Sequence, residues 1–123
     1  MEDSPSTDWT PIELDELRSH IQAGEQRLAE KIEVKRFWDL IKIEPQKWIE
    51  VEYGDLGGGF WAVGLVGKKV IWYNDIEEGF NISSYSVYGR IDTYECEQLQ
   101  LNHIIQRIYT NNITSLRHNH TDI

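Results

Sequence analysis

The chain is predicted to fold as an α+β domain: an N-terminal helical region, an antiparallel sheet of four or five strands, and a C-terminal helix. Three observations predict this. Apolar residues recur every three or four positions up to Ile41, the period falls to two from Trp48, and it returns to three or four after Glu97. The 123 residues suit one domain, and no repeat or linker divides them. The predicted layout is an acidic tail over 1–9, the domain over 10–110 and a polar C-terminal tail over 111–123.

Glu2, Asp3 and Asp8, with no base among them, mark the first segment as a disordered tail. Thr10-Pro11-Ile12-Glu13 is a capping-box sequence with proline at the first helical position, so a helix is expected from Thr10. Leu14, Leu17, Ile21, Leu28 and Ile32 supply its apolar stripe, and Gly24 is a possible kink. Val34, Phe37, Trp38 and Ile41 form a second stripe, which must stop before Pro45. One bent helix and two helices fit this pattern equally.

Trp48–Tyr53 alternates, with Ile49, Val51 and Tyr53 set against Glu50 and Glu52, as in a half-exposed strand. Gly54–Gly59 is a glycine-rich connection into an apolar strand, Phe60–Val66. Gly67-Lys68 suits a two-residue hairpin loop, and Lys69–Asn74 is the return strand. That register sets Leu65 opposite Val70, Val63 opposite Trp72 and Ala62 opposite Tyr73. One face then carries Trp61, Val63, Leu65, Val70 and Trp72, where the helices should pack. The other face, with Phe60, Ala62, Val66, Ile71 and Tyr73, is also apolar and needs a cover: the N-terminal helix, a partner subunit or a ligand. Asp75–Gly79 is an acidic turn, Phe80–Ser83 and Arg90–Cys96 are further strands, and Glu97–Tyr109 is the closing helix through Leu101, Ile104, Ile105 and Ile108.

Charge narrows the function. Twelve Lys and Arg against 21 Asp and Glu leave a net charge of −9, and no basic stripe offsets it. Phosphate backbones and anionic membranes are repelled, so neither nucleic acid nor membrane is an expected partner. A basic protein is attracted. The single cysteine, Cys96, cannot form an internal disulfide, and the acidic start lacks the basic and apolar parts of a signal peptide. A cytoplasmic protein is expected.

No catalytic or metal-binding constellation is evident, and no cofactor is expected. Gly57-Gly58-Gly59 leads into a strand, whereas phosphate loops lead into a helix with a lysine at set spacing. Cys96 and His103 stand seven apart, too far along one helix to pair, and Cys96 reads as a buried structural thiol. His20 reads as an exposed helix residue, and His118 with His120 lacks a third ligand. Asp75, Glu77 and Glu78 crowd one turn without the spacing of a calcium loop, so their functional reading is a docking patch for basic side chains. Tyr85 and Tyr88 are expected to be exposed, and tyrosine is favoured in contact hot spots.

The stretch GFWAVGLVGKKVIWYNDIEEGFNISSYSVYGRI, Gly59–Ile91, resembles a group of small bacterial proteins that share a Gly-Phe-Trp strand and a Tyr-Asn-Asp-Ile-Glu-Glu-Gly-Phe-Asn turn. The resemblance implies a bacterial, intracellular origin and carries no activity with it. In size, acidity and aromatic content the chain also resembles bacterial immunity proteins, which block toxins with acidic surfaces.

The leading expectation is a non-enzymatic protein-binding module of the inhibitor or immunity type. Asp75, Glu77, Glu78, Glu50 and Glu52 would steer a basic partner, and Tyr85 and Tyr88 would anchor it. The alternative is a small-ligand site or enzyme built from the aromatic cluster and a carboxylate, with a cavity beside Trp61 or Trp72. A third expectation is a homodimer through the second sheet face.

Overall fold

The computed structural model describes residues 10–52 and 58–121; the tail expected over 1–9, Tyr53 and most of the glycine-rich connection, including Gly57, lie outside them. Helix α1 spans Leu14–Leu28, helix α2 Ile32–Ile41 and helix α3 Leu101–Thr121. Strands β1 (Lys42–Glu50), β2 (Phe60–Val66), β3 (Lys69–Asn74), β4 (Gly79–Ser84) and β5 (Arg90–Ile91) form one sheet in the order β4-β3-β2-β1-β5. The α+β class stands as predicted. The sheet is mixed, because β5 lies parallel to β1.

The N-terminal helical region is two helices. Backbone bonds in the Ala29–Lys31 turn separate them, and α1 runs unbroken through Gly24. That glycine serves packing: a Cβ there would stand 2.7 Å from the Leu101 Cβ, so its absence lets α3 approach α1 closely. The capping box does not form. Ile12 donates its N–H to Asp75 Oδ2 at 2.8 Å, and its carbonyl accepts from Trp61 Nε1 at 3.2 Å. These tertiary bonds hold the chain extended, and α1 starts four residues later than expected, with Glu13 as an N-cap lacking a side-chain bond. At the far end α3 continues to Thr121, past the Tyr109 limit expected for it.

Helices cover one sheet face. Leu17 and Leu28 from α1, Val34 and Trp38 from α2, and Leu101, Ile104, Ile105 and Ile108 from α3 pack on Val63, Ile71, Tyr73 and Phe80. This differs from the expected assignment of faces. Leu65 does pair with Val70, but Val63 is an extra residue between the Ala62–Trp72 and Gly64–Ile71 pairs. One inserted residue reverses the facing of everything beyond it. Trp72 and Val70 therefore point away from the helices, while Tyr73 and Ile71 point toward them.

The second face is buried by the chain itself. Phe60, Ala62, Val70 and Trp72 are fully covered by a core that includes Trp48, Ile91, Tyr85 and Tyr94. The homodimer expected through this face thus loses its surface, because the 85–95 segment already occupies it. Buried polar groups tie that segment down. Trp72 Nε1 donates to Ser83 Oγ, which donates to the Thr93 carbonyl; Asn74 Nδ2 donates to the Glu95 carbonyl. Asn81 binds the Glu97 backbone twice, accepting at Oδ1 and donating from Nδ2. Segment 93–97, expected partly as a strand, is bonded through side chains in place of a backbone ladder.

Candidate functional site

The β3–β4 turn is built by one buried residue. Asn74 Oδ1 accepts the N–H groups of Ile76 and Glu77 at 3.0 and 3.1 Å. This is the side-chain mimic of a turn that asparagine favours. The turn closes on Glu78 with φ of 62°, a left-handed conformation that costs a side chain other than glycine about 1 kcal/mol. Gly79 must follow, since a Cβ there would overlap the Gln98 backbone.

This turn stands beside the first half of α1. Two grooves, of about 430 and 470 Å³, share His20, Tyr73 and Glu78 in their walls and so meet at one cleft. Glu13, Glu16 and Asp75 line one side, and Glu77 lines the other. The His20 ring stacks on Tyr73, with centroids 5.4 Å apart and planes 18° from parallel. Tyr73 also meets Phe80 edge to face, which fixes its ring against the core. Burial, and then the negative fields of Glu78, Asp75 and Glu16, push the Tyr73 phenol up to about 12. Tyr73 is therefore a neutral hydroxyl at any physiological pH.

The carboxylates of this cleft differ in their partners. Asp75 holds Ile12 and lies in the field of Lys47, whose ammonium donates to the Gly59 carbonyl and sits 5.0 Å above the Trp61 ring. Burial lowers the Lys47 pKa against the opposing fields of Asp75 and Glu13. Among the described residues, none of Glu13, Glu16, Glu77 and Glu78 forms an ion pair. The ion pairs lie elsewhere: Arg18 with Glu44, Lys35 with Asp39, Lys42 with Glu25 and Asp39, and Arg107 with Glu97. An unmatched group of carboxylates beside a flat aromatic stack suits hydrogen-bond donors carrying positive charge.

The structure divides the predicted site. Asp75, Glu77 and Glu78 are brought together, with Asp75 partly committed to holding Ile12. Tyr85 and Tyr88 lie across the sheet, both against Trp48, with ring centroids 5.1 and 5.0 Å away. Tyr85 is only partly exposed, and its hydroxyl donates to the Gly67 carbonyl; the Tyr88 hydroxyl donates to Gln46. Tyr85 covers the second core, whereas Tyr88 is 61% exposed, as expected, over Trp48. Glu50 is 1% exposed and accepts the Glu52 N–H at 3.0 Å, so it cannot act as a steering charge. The expected alternation is inverted there, with Ile49 and Val51 53% and 61% exposed and Glu50 turned inward with Trp48. Glu52 is exposed, apart from the acidic cleft.

Asn102 also lines the cleft; Glu13, Glu16, Tyr73 and Asn102 were not expected as site residues from sequence. A signal for the first two exists: Glu13, Glu16 and His20 recur at spacings of three and four, a polar stripe on the same helix. Cys96 is exposed, contrary to the buried thiol expected, and it precedes α3, so it does not share a helix with His103. The side chains of His118 and His120 lie outside the described residues. Trp72 belongs to the packed second core, and neither it nor Trp61 lines the cleft.

Among the described residues, no group of three or more His, Cys, Asp or Glu side chains is disposed to hold a metal ion, and no helix is long and apolar enough to cross a membrane. Comparison with protein-family models, curated proteins and solved structures gives no match. The fold and this cleft therefore carry the functional reading.

Proposed function

We propose that the chain is a non-enzymatic protein-binding module, of the inhibitor or immunity type, whose cleft at His20 and Tyr73 receives a basic segment of a cytoplasmic partner. One observation carries this: Glu13, Glu16, Glu77 and Glu78 gather around the His20–Tyr73 stack in one cleft without an ion pair among the described residues, whereas Glu25 and Glu44, the acids of the groove on the other flank of α1, are matched. Like charges held together repel, so a site of this kind lies above its lowest electrostatic energy until a cation arrives. The net charge of −9 adds long-range attraction for the same partner.

Titration calorimetry with a short peptide carrying both lysine and arginine tests the reading. Affinity should fall steeply between about 20 and 200 mM salt, as exposed charge pairs are screened over roughly a Debye length. Binding that salt leaves unchanged, or equal binding of an acidic peptide, would overturn it.

A further inference from the structure

We propose that the central contact of this cleft is a single arginine side chain of the partner, its guanidinium lying against the His20–Tyr73 stack; this rests on reading the cleft as a receptor for a basic segment. Two polar groups within the cleft point to a donor-rich ligand. Tyr73 is 5% exposed, lines both grooves, and its hydroxyl has no hydrogen-bond partner among the described residues. Asn102 lines the groove of about 430 Å³, with Oδ1 buried and without a partner among the described residues. Polar atoms of side chains this buried normally find a partner, so the Tyr73 hydroxyl at the cleft, with Asn102 Oδ1 unpartnered in its wall, points to a ligand that donates there.

The neighbouring acceptors are carboxylates. Glu77 sits within the Asn74-built turn, and Glu78 is held in its left-handed conformation at the turn's close. Guanidinium carries five N–H donors in a plane and no acceptor, and its face stacks on aromatic rings. Its in-plane donors can serve the phenol oxygen and a carboxylate of the rim, and its face can meet the neighbouring His20 ring. An ammonium offers three donors around a compact, strongly hydrated point and has no face to stack. Along α1 the lining runs from Glu13 and Glu16 through His20 to Arg27, which donates to Gln100. Arg27 repels a second cation and confines the site to the acidic end.

Three acetylated, amidated tripeptides test this: Gly-Arg-Gly, Gly-Lys-Gly and Gly-citrulline-Gly, followed by NMR shifts of the His20 ring in the full chain. The arginine peptide should bind at least about fivefold more tightly than the lysine peptide, because only it supplies the planar fork. Citrulline keeps the shape without the charge and should bind weakest. Tyr73→Phe and Asn102→Ala, each checked by its amide spectrum for an intact fold, should shrink the arginine preference. Equal affinity for lysine and arginine, or a preference that neither substitution reduces, overturns the arginine assignment and leaves the basic-segment reading in place. Failure of both charged peptides to bind overturns that reading as well.

Discussion

Helix α1 has a groove on each flank, and the two treat charge differently. On one flank Arg18, Glu25, Lys42 and Glu44 line a groove of about 500 Å³. Its charges are matched within the chain: Arg18 meets Glu44 at 2.8 Å, Lys42 meets Glu25 at 3.4 Å, and Glu25 also accepts from Trp38 Nε1 at 2.8 Å. On the other flank Glu13, Glu16, Glu77 and Glu78 surround His20 and Tyr73 with no cation bonded to them among the described residues. Size does not separate the two; partner satisfaction does. The first groove is complete as folded. The second is left with spare acceptors, which is the condition of a binding site.

The largest effect expected from this difference is on affinity. Glu16→Lys with Glu78→Lys should weaken a Lys/Arg peptide by about a hundredfold, roughly 2.8 kcal/mol, in calorimetry. Glu44→Lys, in the matched groove, should leave that affinity within about twofold, because a rim charge away from the site contributes little.

A pH effect of similar upper size is tied to Tyr73. The unfolded phenol ionises near 10.0, whereas the folded one holds its proton to about 12. Below pH 10 the group adds nothing to stability. Between pH 10 and 12 the unfolded chain releases the proton first, so stability falls as pH rises. The loss is at most about 2.7 kcal/mol, at about 1.4 kcal/mol per unit. Urea unfolding across this window should show a steeper decline for the native chain than for Tyr73→Phe; parallel declines would remove the claim that the phenol is desolvated in the cleft.

Smaller effects sharpen the contrast in stability. Glu25→Ala strips the acceptor from the buried Trp38 indole and should cost about 1–2 kcal/mol in chemical denaturation, with binding unaltered. Glu78→Gly should do the reverse. It relieves the left-handed strain and should raise stability by about 0.5–1 kcal/mol while weakening peptide binding severalfold. A glycine variant that is less stable, or that binds as well as the native chain, contradicts the role given to Glu78.

Much of the fold was legible because burial leaves a period in the sequence. Leu101, Ile104, Ile105 and Ile108 reveal α3, and Val34 and Trp38 reveal α2, since each set repeats at helical spacing and ends up buried. The errors came where a tertiary contact outweighed a local rule. Thr10–Glu13 reads as a helix start, yet Asp75 and Trp61 hold the Ile12 backbone from residues far along the chain. The hairpin was located, but the single inserted Val63 reversed the faces of Val70, Trp72 and Tyr73, and alternation alone carries no mark of an insertion. Glu50 looked like a solvent-facing acid because its neighbours are apolar, and it is buried instead.

The site was half legible for the same reason. Asp75, Glu77 and Glu78 are adjacent in sequence and form one turn, so they were found. Glu13 and Glu16 join them only because β3 delivers that turn to the first half of α1. Tyr73 looked like one sheet aromatic among many, and its pairing with His20 depends on the same bulge that turns it toward the helices.

Where a basic peptide docks on the chain is the direct test of the cleft's role, read as amide shifts of isotope-labelled protein during titration. The largest changes are expected at Glu13–His20, Tyr73–Phe80 and Asn102, with the Lys42–Pro45 flank quiet. Changes centred on Trp48, Tyr85 and Tyr88, or on the matched charges of the opposite groove, would contradict it.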